Sequence, residues 1–182
     1  MSWYSAAEPL APDHETADFD CGSDAQTAWL RQHALQAQRG DTCRVYVVCR
    51  SGERRVVGYY ALAAGSVARE HAPARALKGM GRYPVPVVVL TRLGIDRSEQ
   101  GRGLGRALLK DALLRIAGAA DTIGIRALLI HCESDAAKAF YLQIAAFDES
   151  PTDPLHLFLL MKDLRLALQA AAEGRPASEE SQ

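Results

Sequence analysis

Residues 85–120 constrain the fold of this chain more than any other stretch. The run from Val85 to Ile95 is apolar apart from Thr91 and Arg92, which is typical of a strand buried on both faces at the centre of a sheet. A glycine-rich turn over residues 96–103 follows, and the spacing of Leu104, Leu108 and Ala112 then predicts an amphipathic helix to about Ala120. This order of strand, turn and helix predicts a sheet with helices packed against it.

The remaining elements fit the same architecture. Ser23 is a plausible helix N-cap and Gly40 a stop, while Arg69 to Pro86, with three prolines, predicts loop or broken helix. We predict an α/β mixed sheet in one domain over residues 1–168, followed by a disordered tail over 169–182. The other predicted elements are helices over 23–39 and 135–144 and strands over 45–49, 55–67, 125–131 and 155–161.

Composition excludes several classes of protein. The net charge of −1 argues against an indiscriminate nucleic-acid binder, and the chain shows neither a signal peptide nor an apolar run long enough for a bilayer. We therefore expect a cytoplasmic protein with no membrane association. The four cysteines form no CxxC pair, which predicts reduced thiols with no metal site and no disulfide.

The glycine-rich turn has the chemistry of an anion site. Glycines allow backbone N–H groups to approach a ligand closely, and the N-terminus of the following helix favours phosphate oxygens. Arg102 and Arg106 can add charged contacts to phosphate. The spacing fits neither a dinucleotide-binding fingerprint nor a Walker loop. The alternative interpretation is a flexible turn with no ligand.

Two motifs resemble those of the GNAT acetyltransferases. Gln100-x-x-Gly103-x-Gly105 after a buried strand is similar to the family's acetyl-CoA motif, and the segment 134–141 is similar to Asn-x-x-Ala-x-x-x-Tyr, with Ala137 and Tyr141 in register. Ser134 replaces the asparagine, and Ala146-Phe147 replaces a Gly-Phe pair.

The resemblance implies a GNAT fold, in which a central sheet splays open and acetyl-CoA binds in the gap as the acetyl donor. Leu93 and Ile95 would offer backbone groups to its pantetheine. Tyr141 would be the catalytic general acid that protonates the departing thiolate. The implied cofactor-binding residues are Leu93, Ile95, Gln100, Gly101, Arg102, Gly103, Gly105, Arg106, Ser134 and Ala137.

A general base is harder to assign. His131, Glu133, Glu99 and Arg92 lie near the predicted strand ends, but a lone histidine that closes an apolar strand is more often a packed core residue. Water is the alternative, because an α-amino group titrates near pH 8 and is already partly neutral.

Further segments resemble the GNAT toxins of bacterial type II toxin–antitoxin pairs, over most of residues 5–165. That resemblance implies acetylation of the α-amino group of aminoacyl-tRNA, inhibition of translation, a ribbon-helix-helix antitoxin and a homodimer. The segments are 19–22, 29–31, 57–62, 83–86 and 150–154.

Basic residues near the central strand give partial support from charge. Arg75, Lys78, Arg82 and Arg92 are predicted to contact tRNA phosphates, although the same residues would suit a solvated loop. A metabolic or protein-modifying acetyltransferase and a non-catalytic acetyl-CoA-binding module are the alternative functions. The sequence does not identify the tRNA or its amino acid.

Overall fold

A seven-stranded mixed sheet with helices on both faces forms the protein in a computed structural model that describes residues 2–174. The helices are α1 (Asp24–Gln32), α2 (Ala34–Arg39), α3 (Ala74–Leu77), α4 (Leu104–Ala120), α5 (Asp135–Leu142) and α6 (Met161–Glu173). The strands are β1 (Glu8–Pro9), β2 (Arg44–Cys49), β3 (Val56–Val67), β4 (Val85–Ile95), β5 (Ala127–His131), β6 (Asp148–Glu149) and β7 (His156–Leu160).

The sheet splays open between its two parallel strands. The strand order is β1-β2-β3-β4-β5-β7-β6, and β4 with β5 is the parallel pair. Pairing between them runs from Val87 with Ala127 to Leu90 with Ile130 and then stops, although β4 continues to Ile95. At this point Thr91 is an extra residue in the β3–β4 ladder, because Arg92 pairs with Ala61 and Leu90 with Leu62. A bulge of this kind bends its strand, and here it accompanies the gap between β4 and β5.

The two faces of the sheet are covered differently. On one face, α4, α5 and α6 bury a large apolar cluster that includes Leu108, Leu128 and Leu164. On the other face, α1 and α2 cover β2 and β3 around Phe19 and Tyr59, and α3 covers a separate cluster around Phe158. We call these the α4 face and the α1 face.

Most predicted elements are confirmed, with three corrections. The predicted helix over 23–39 divides at His33, whose φ of −123° interrupts the helix, and both flanking apolar residues, Leu30 and Ala34, are buried. The two-residue strands β1 and β6 are too short to show a periodic pattern and were missed. The four cysteines are buried or half-buried.

Helix α6 is the third correction. Residues 169–173 were predicted to belong to a disordered tail but lie in α6. The first turn of this helix is anchored by the buried side chains of Met161 and Leu164. Alanine favours helix strongly, so the Ala-rich stretch extends a helix that is anchored at its start. The rest of the predicted tail, 175–182, lies outside the described residues. Within residues 2–174, no helix is both long and apolar enough to cross a membrane.

Candidate active site

A cleft of about 700 Å³ occupies the gap between β4 and β5. It is bounded by the end of β4, the glycine-rich turn and one side of α5. The cleft brings together most of the residues that sequence predicted for acetyl-CoA, namely Leu93, Ile95, Gln100, Gly101, Gly103, Gly105, Arg106 and Ala137. Arg102 and Ser134 do not line it.

The turn presents backbone donors to this cleft. Gly101 and Gly103 have φ angles of 76° and 83°, in the left-handed region that side chains rarely adopt. Gly103 is the N-cap of α4 and supplies no side chain to the helix. The first N–H groups of a helix have no partner inside it, so those of α4 are available to an anion at the mouth of the cleft.

The edge of β4 offers further backbone groups. The Asp96 N–H donates to the Val57 carbonyl at 2.9 Å, which makes these two residues a hydrogen-bonded pair. Such pairs alternate with non-bonded pairs along antiparallel strands. Leu93, opposite Tyr60, and Ile95, opposite Gly58, therefore direct their backbone groups away from β3 and into the gap.

Gln100 braces the turn from inside the cleft. Its Nε2 donates to the carbonyl oxygens of Ile95 and Cys21, both at 2.9 Å. This side chain therefore fixes the end of β4 against the loop before α1. The structure gives Gln100 a positioning role alongside its predicted contact with the cofactor.

Arg102 and Arg106 differ in their surroundings. Arg106 lines the cleft, whereas Arg102 does not line it and places its guanidinium 3.4 Å from Glu99. Glu99 is only 1% exposed and also accepts hydrogen bonds from Tyr4 and Arg50 at 2.7 and 2.6 Å. These partners, Tyr4 first, hold the pKa of Glu99 below its usual value despite its burial. Glu99 is thus a fixed carboxylate that holds the turn and lacks the free lone pairs of a general base.

Ser134 caps helix α5. Its Oγ accepts a hydrogen bond from the Ala137 N–H at 3.1 Å. Serine and asparagine are both good N-cap residues, so the replacement of the family asparagine preserves the start of this helix. The capping bond occupies the backbone donor of Ala137, which leaves its methyl group as the part that faces the cleft.

Tyr141 lies deep in the gap on α5. Its side chain is 8% exposed, and it packs edge-on against Phe140 and Phe147. Burial, with a smaller effect of Cys132 and Glu133, raises the pKa of the phenol above its usual value. The hydroxyl is therefore protonated throughout the physiological range and can act as a proton donor.

A second, smaller opening reaches Tyr141 from the α1 face. It is about 60 Å³ in volume and is lined by Gln26, Arg92, His131 and Glu133 among others. Tyr141 lines both this opening, which we call the acceptor opening, and the large cleft. Tyr141 can thus contact a molecule in either space.

Helix α1 borders both spaces, since its Gln26 lines the acceptor opening and the large cleft, and its N-cap Ser23 lines the cleft. Ser23 Oγ donates to Glu133 at 2.7 Å while it accepts the Gln26 N–H at 3.3 Å, and Arg92 lies 5.3 Å from the centre of the Trp29 ring. Sequence reasoning did not assign Ser23, Gln26 or Trp29 to the site. The signal that could have done so was the pair of toxin-like segments 19–22 and 29–31, which enclose Ser23 and Gln26 and include Trp29.

His131 also lines this opening. Burial first, and the neighbouring His156 second, lower the pKa of the His131 imidazole. The ring is therefore neutral near pH 7. The structure places His131 and Glu133, two of the candidate bases, at the opening, and removes Glu99 from it.

The four residues predicted to contact tRNA do not form one patch. Arg92 is at the acceptor opening, but α3 and its loop lie at the other end of β4, about 23 Å away at the usual rise of a strand. Arg75 on α3 is bound by Asp148 and Asp163 at 2.7 and 2.9 Å, so it joins α3 to β6 and α6. Lys78 and Arg82 have no ion pair within residues 2–174.

Comparisons with known proteins agree with this geometry. Residues 3–147 match the model of the Acetyltransferase (GNAT) family. A tRNA-acetylating toxin of Mycobacterium tuberculosis (strain ATCC 25618 / H37Rv) is 50% identical over 165 residues, which are 91% of this chain and 97% of that protein.

Two solved structures are also similar over nearly the whole chain. A Tyr-to-Phe mutant of KacT has a TM-score of 0.84 at 27% identity, covering 91% of this chain and 99% of its own. AtaT complexed with acetyl-methionyl-tRNAfMet has a TM-score of 0.82 at 30% identity, covering 90% and 98%.

Proposed function

We propose that this chain, which belongs to the acetyltransferase (GNAT) family, is a toxin that transfers an acetyl group from acetyl-CoA to the α-amino group of an aminoacyl-tRNA. The single observation that carries the transfer chemistry is that the cleft and the acceptor opening meet at Tyr141. The choice of acceptor is supported by the identity with the tRNA-acetylating toxin and by the likeness to AtaT.

The residues of the cleft fit acetyl-CoA. The turn with two left-handed glycines and the first N–H groups of α4 suit its phosphates, with Arg106 beside them. The backbone groups of Leu93 and the N–H of Ile95 suit the amide groups of an extended pantetheine, whereas the Ile95 carbonyl already accepts a hydrogen bond from Gln100. AtaTR has been solved with this molecule bound. Acetyl-CoA supplies an acetyl group activated as a thioester.

Tyr141 provides the proton that the leaving thiolate needs. A buried phenol with a raised pKa is a weak acid, but the same apolar surroundings raise the pKa of a thiol, as burial does for Cys132. Both groups therefore shift in the same direction, and proton transfer stays accessible. The amine arrives through the acceptor opening, where its own pKa near 8 leaves part of it neutral. As its nitrogen bonds to the acetyl carbon and the C–S bond breaks, the amine releases one proton to water.

The toxin proposal extends to its partners. We propose that the protein acts in the cytoplasm as a homodimer and is neutralised by a ribbon-helix-helix antitoxin. AtaT has been solved with the C-terminus of its antitoxin AtaR, and the KacTA complex with DNA. Growth arrest on expression, relieved by co-expression of a neighbouring small reading frame, tests the antitoxin. Light scattering of the purified protein tests the homodimer.

The acetylation itself is tested by cell-free translation with and without acetyl-CoA, followed by mass analysis of the aminoacyl-tRNA pool. We expect translation to stop only when acetyl-CoA is present, and one or a few aminoacyl-tRNAs to gain an acetyl group. Tyr141→Phe is the matched control for chemistry. Normal translation with an unmodified pool would contradict the toxin proposal and favour an enzyme that acetylates free amines or peptides.

A further inference from the structure

A groove of about 500 Å³ lies on the α1 face, beside the acceptor opening. Its floor is apolar, formed by Val89, Leu129 and Phe158 on three neighbouring strands. His131 lines both the groove and the acceptor opening, so the two spaces are adjacent. We call this space the histidine groove. No step of the transfer chemistry uses it.

Two stacked imidazoles lie at the end of the groove nearest the opening. His131 on β5 and His156 on β7 are directly opposite each other in register, with ring centroids 4.0 Å apart and an angle of 18° between the planes. Asp153 Oδ2 lies 3.3 Å from Nε2 of His156 and helps to fix its ring. The pair presents a flat, polarisable surface of the kind on which nucleobases stack.

The opposite rim of the groove is also fixed. Ser150 Oγ donates to the His71 carbonyl at 2.7 Å, and His71 Nδ1 lies 2.8 Å from Thr152 Oγ1. These bonds tie the turn after β3 to the loop before β7. A rim built this way has its shape before a ligand arrives, which reduces the entropy lost on binding.

The groove leads away from the reaction centre toward the basic loop. Leu129, on its floor, lies about 7 Å along β5 from His131, at the usual rise of a strand. Beyond it, Ala68 and His71 belong to the segment that continues to Lys78 and Arg82. An aminoacyl ester holds its amino nitrogen only a few bonds from the ribose. A nucleoside attached to an amine in the acceptor opening must therefore lie close to this groove.

We propose that the histidine groove binds the 3′-terminal nucleoside of the acceptor RNA, with its base against the imidazoles of His131 and His156. This inference rests on the proposed function, since it requires an aminoacyl ester of RNA as the acceptor. The volume holds one nucleoside, and the apolar floor with polar groups at its rim is the usual composition of a small-molecule pocket. The RNA backbone then extends from the groove toward Lys78 and Arg82, so these distant residues can contact phosphates of the same RNA strand.

The test compares two acceptors that share one amino acid, its 3′-adenosine ester and its methyl ester. We expect the unaltered protein to prefer the adenosine ester in kcat/KM by roughly tenfold or more, the effect of one base stack. Ala68→Trp, which fills the groove from its exposed rim, should remove most of that preference. His156→Ala should also reduce it, whereas His156→Phe, which keeps a flat ring, should retain it.

Ala119→Trp on α4 is the matched control, because it adds the same bulk on the far face of the sheet. It should leave the ratio of the two kcat/KM values as it is. A ratio that Ala68→Trp and His156→Ala leave unchanged would overturn the groove assignment alone, provided that the unaltered protein acetylates charged tRNA. A second result would also overturn it, namely a groove variant that keeps the preference for the adenosine ester but changes the selectivity among methyl esters of different amino acids. The groove would then bind the amino-acid side chain. A protein that acetylates no charged tRNA would overturn the proposed function, and the groove assignment with it.

Discussion

The hydroxyl of Tyr141 is the atom on which the proposed chemistry depends. Removing it with Tyr141→Phe should reduce kcat by roughly a hundredfold or more, the usual contribution of a general acid, while the Kd for acetyl-CoA stays close to that of the unaltered protein. Single-turnover acetylation and a separate titration with acetyl-CoA measure the two quantities. Tyr46→Phe is the matched control, since that ring stacks on Tyr60 away from the cleft.

The pH dependence of the same residue follows from its burial. The pKa of Tyr141 is raised, so the proton is present below about pH 10 and lost only above the value of an ordinary tyrosine. We expect no decline of kcat between pH 7 and about 9.5 from loss of this proton. A Tyr141→Phe protein as fast as the unaltered one, or an alkaline decline near pH 8 that this substitution abolishes, would contradict the assignment.

At the scale of single elements, the glycine-rich turn and helix α4 allow a glycine-to-alanine substitution to be compared at three positions. A Cβ on Gly103 would meet nothing within 4 Å, yet its φ of 83° makes alanine strained by about 1–2 kcal/mol. Gly103→Ala should therefore fold but weaken acetyl-CoA binding by roughly fivefold or more.

Gly105 is helical and its Cβ would lie 3.4 Å from Phe140, an ordinary contact. Gly105→Ala should change binding little, and Gly118→Ala on the same helix should not change it. Calorimetry that finds equal losses at 103 and 105 would contradict this account.

Ser23, at the start of α1, makes two hydrogen bonds, one that caps the helix and one to Glu133 in the site. Ser23→Ala removes both the cap of α1 and the hydrogen bond to Glu133, and should lower the free energy of unfolding by about 1 kcal/mol. Because Ser23 lines the cleft and Gln26 lines both the cleft and the acceptor opening, the KM values for acetyl-CoA and for the acceptor should both rise. Ser51→Ala, in an exposed turn, is the control. KM values that both stay unchanged would show that the start of α1 does not shape the site.

At the scale of the whole molecule, substitution of two arginines in or near α3 should affect different properties, stability for one and RNA binding for the other. Arg75→Gln breaks the link to Asp148 and Asp163, and should lower Tm by about 2 °C, since half-exposed ion pairs contribute little more than half a kcal/mol. Arg82→Gln should leave Tm unchanged but reduce the slope of log K against log salt for tRNA binding by roughly 0.7–0.9. Filter binding at several salt concentrations measures the slope. An equal loss of slope in Arg75→Gln would return that residue to the RNA-binding surface.

Local pattern was enough to predict the frame of the site. The continuous apolar run of β4, the glycines of the turn and the register of Tyr141 within its motif each depend on residues close together in sequence. Backbone conformation is governed mainly by such neighbours, since steric limits on φ and helix capping act over a few residues. The sequence by itself thus determined the mixed sheet, and its resemblance to the family led to the prediction of the cleft and of Tyr141 as the proton donor.

Only the tertiary structure decided which distant groups meet. In the sequence Glu99 is a candidate base, but in the structure Tyr4 and Arg50 hydrogen-bond to it. Arg75 is a candidate RNA contact in the sequence, but in the structure it binds two carboxylates. The acceptor side depends on α1, far away in sequence from Glu133 and Tyr141. The function of a charged or polar side chain depends on its partners within a few ångströms, and packing between remote segments selects those partners.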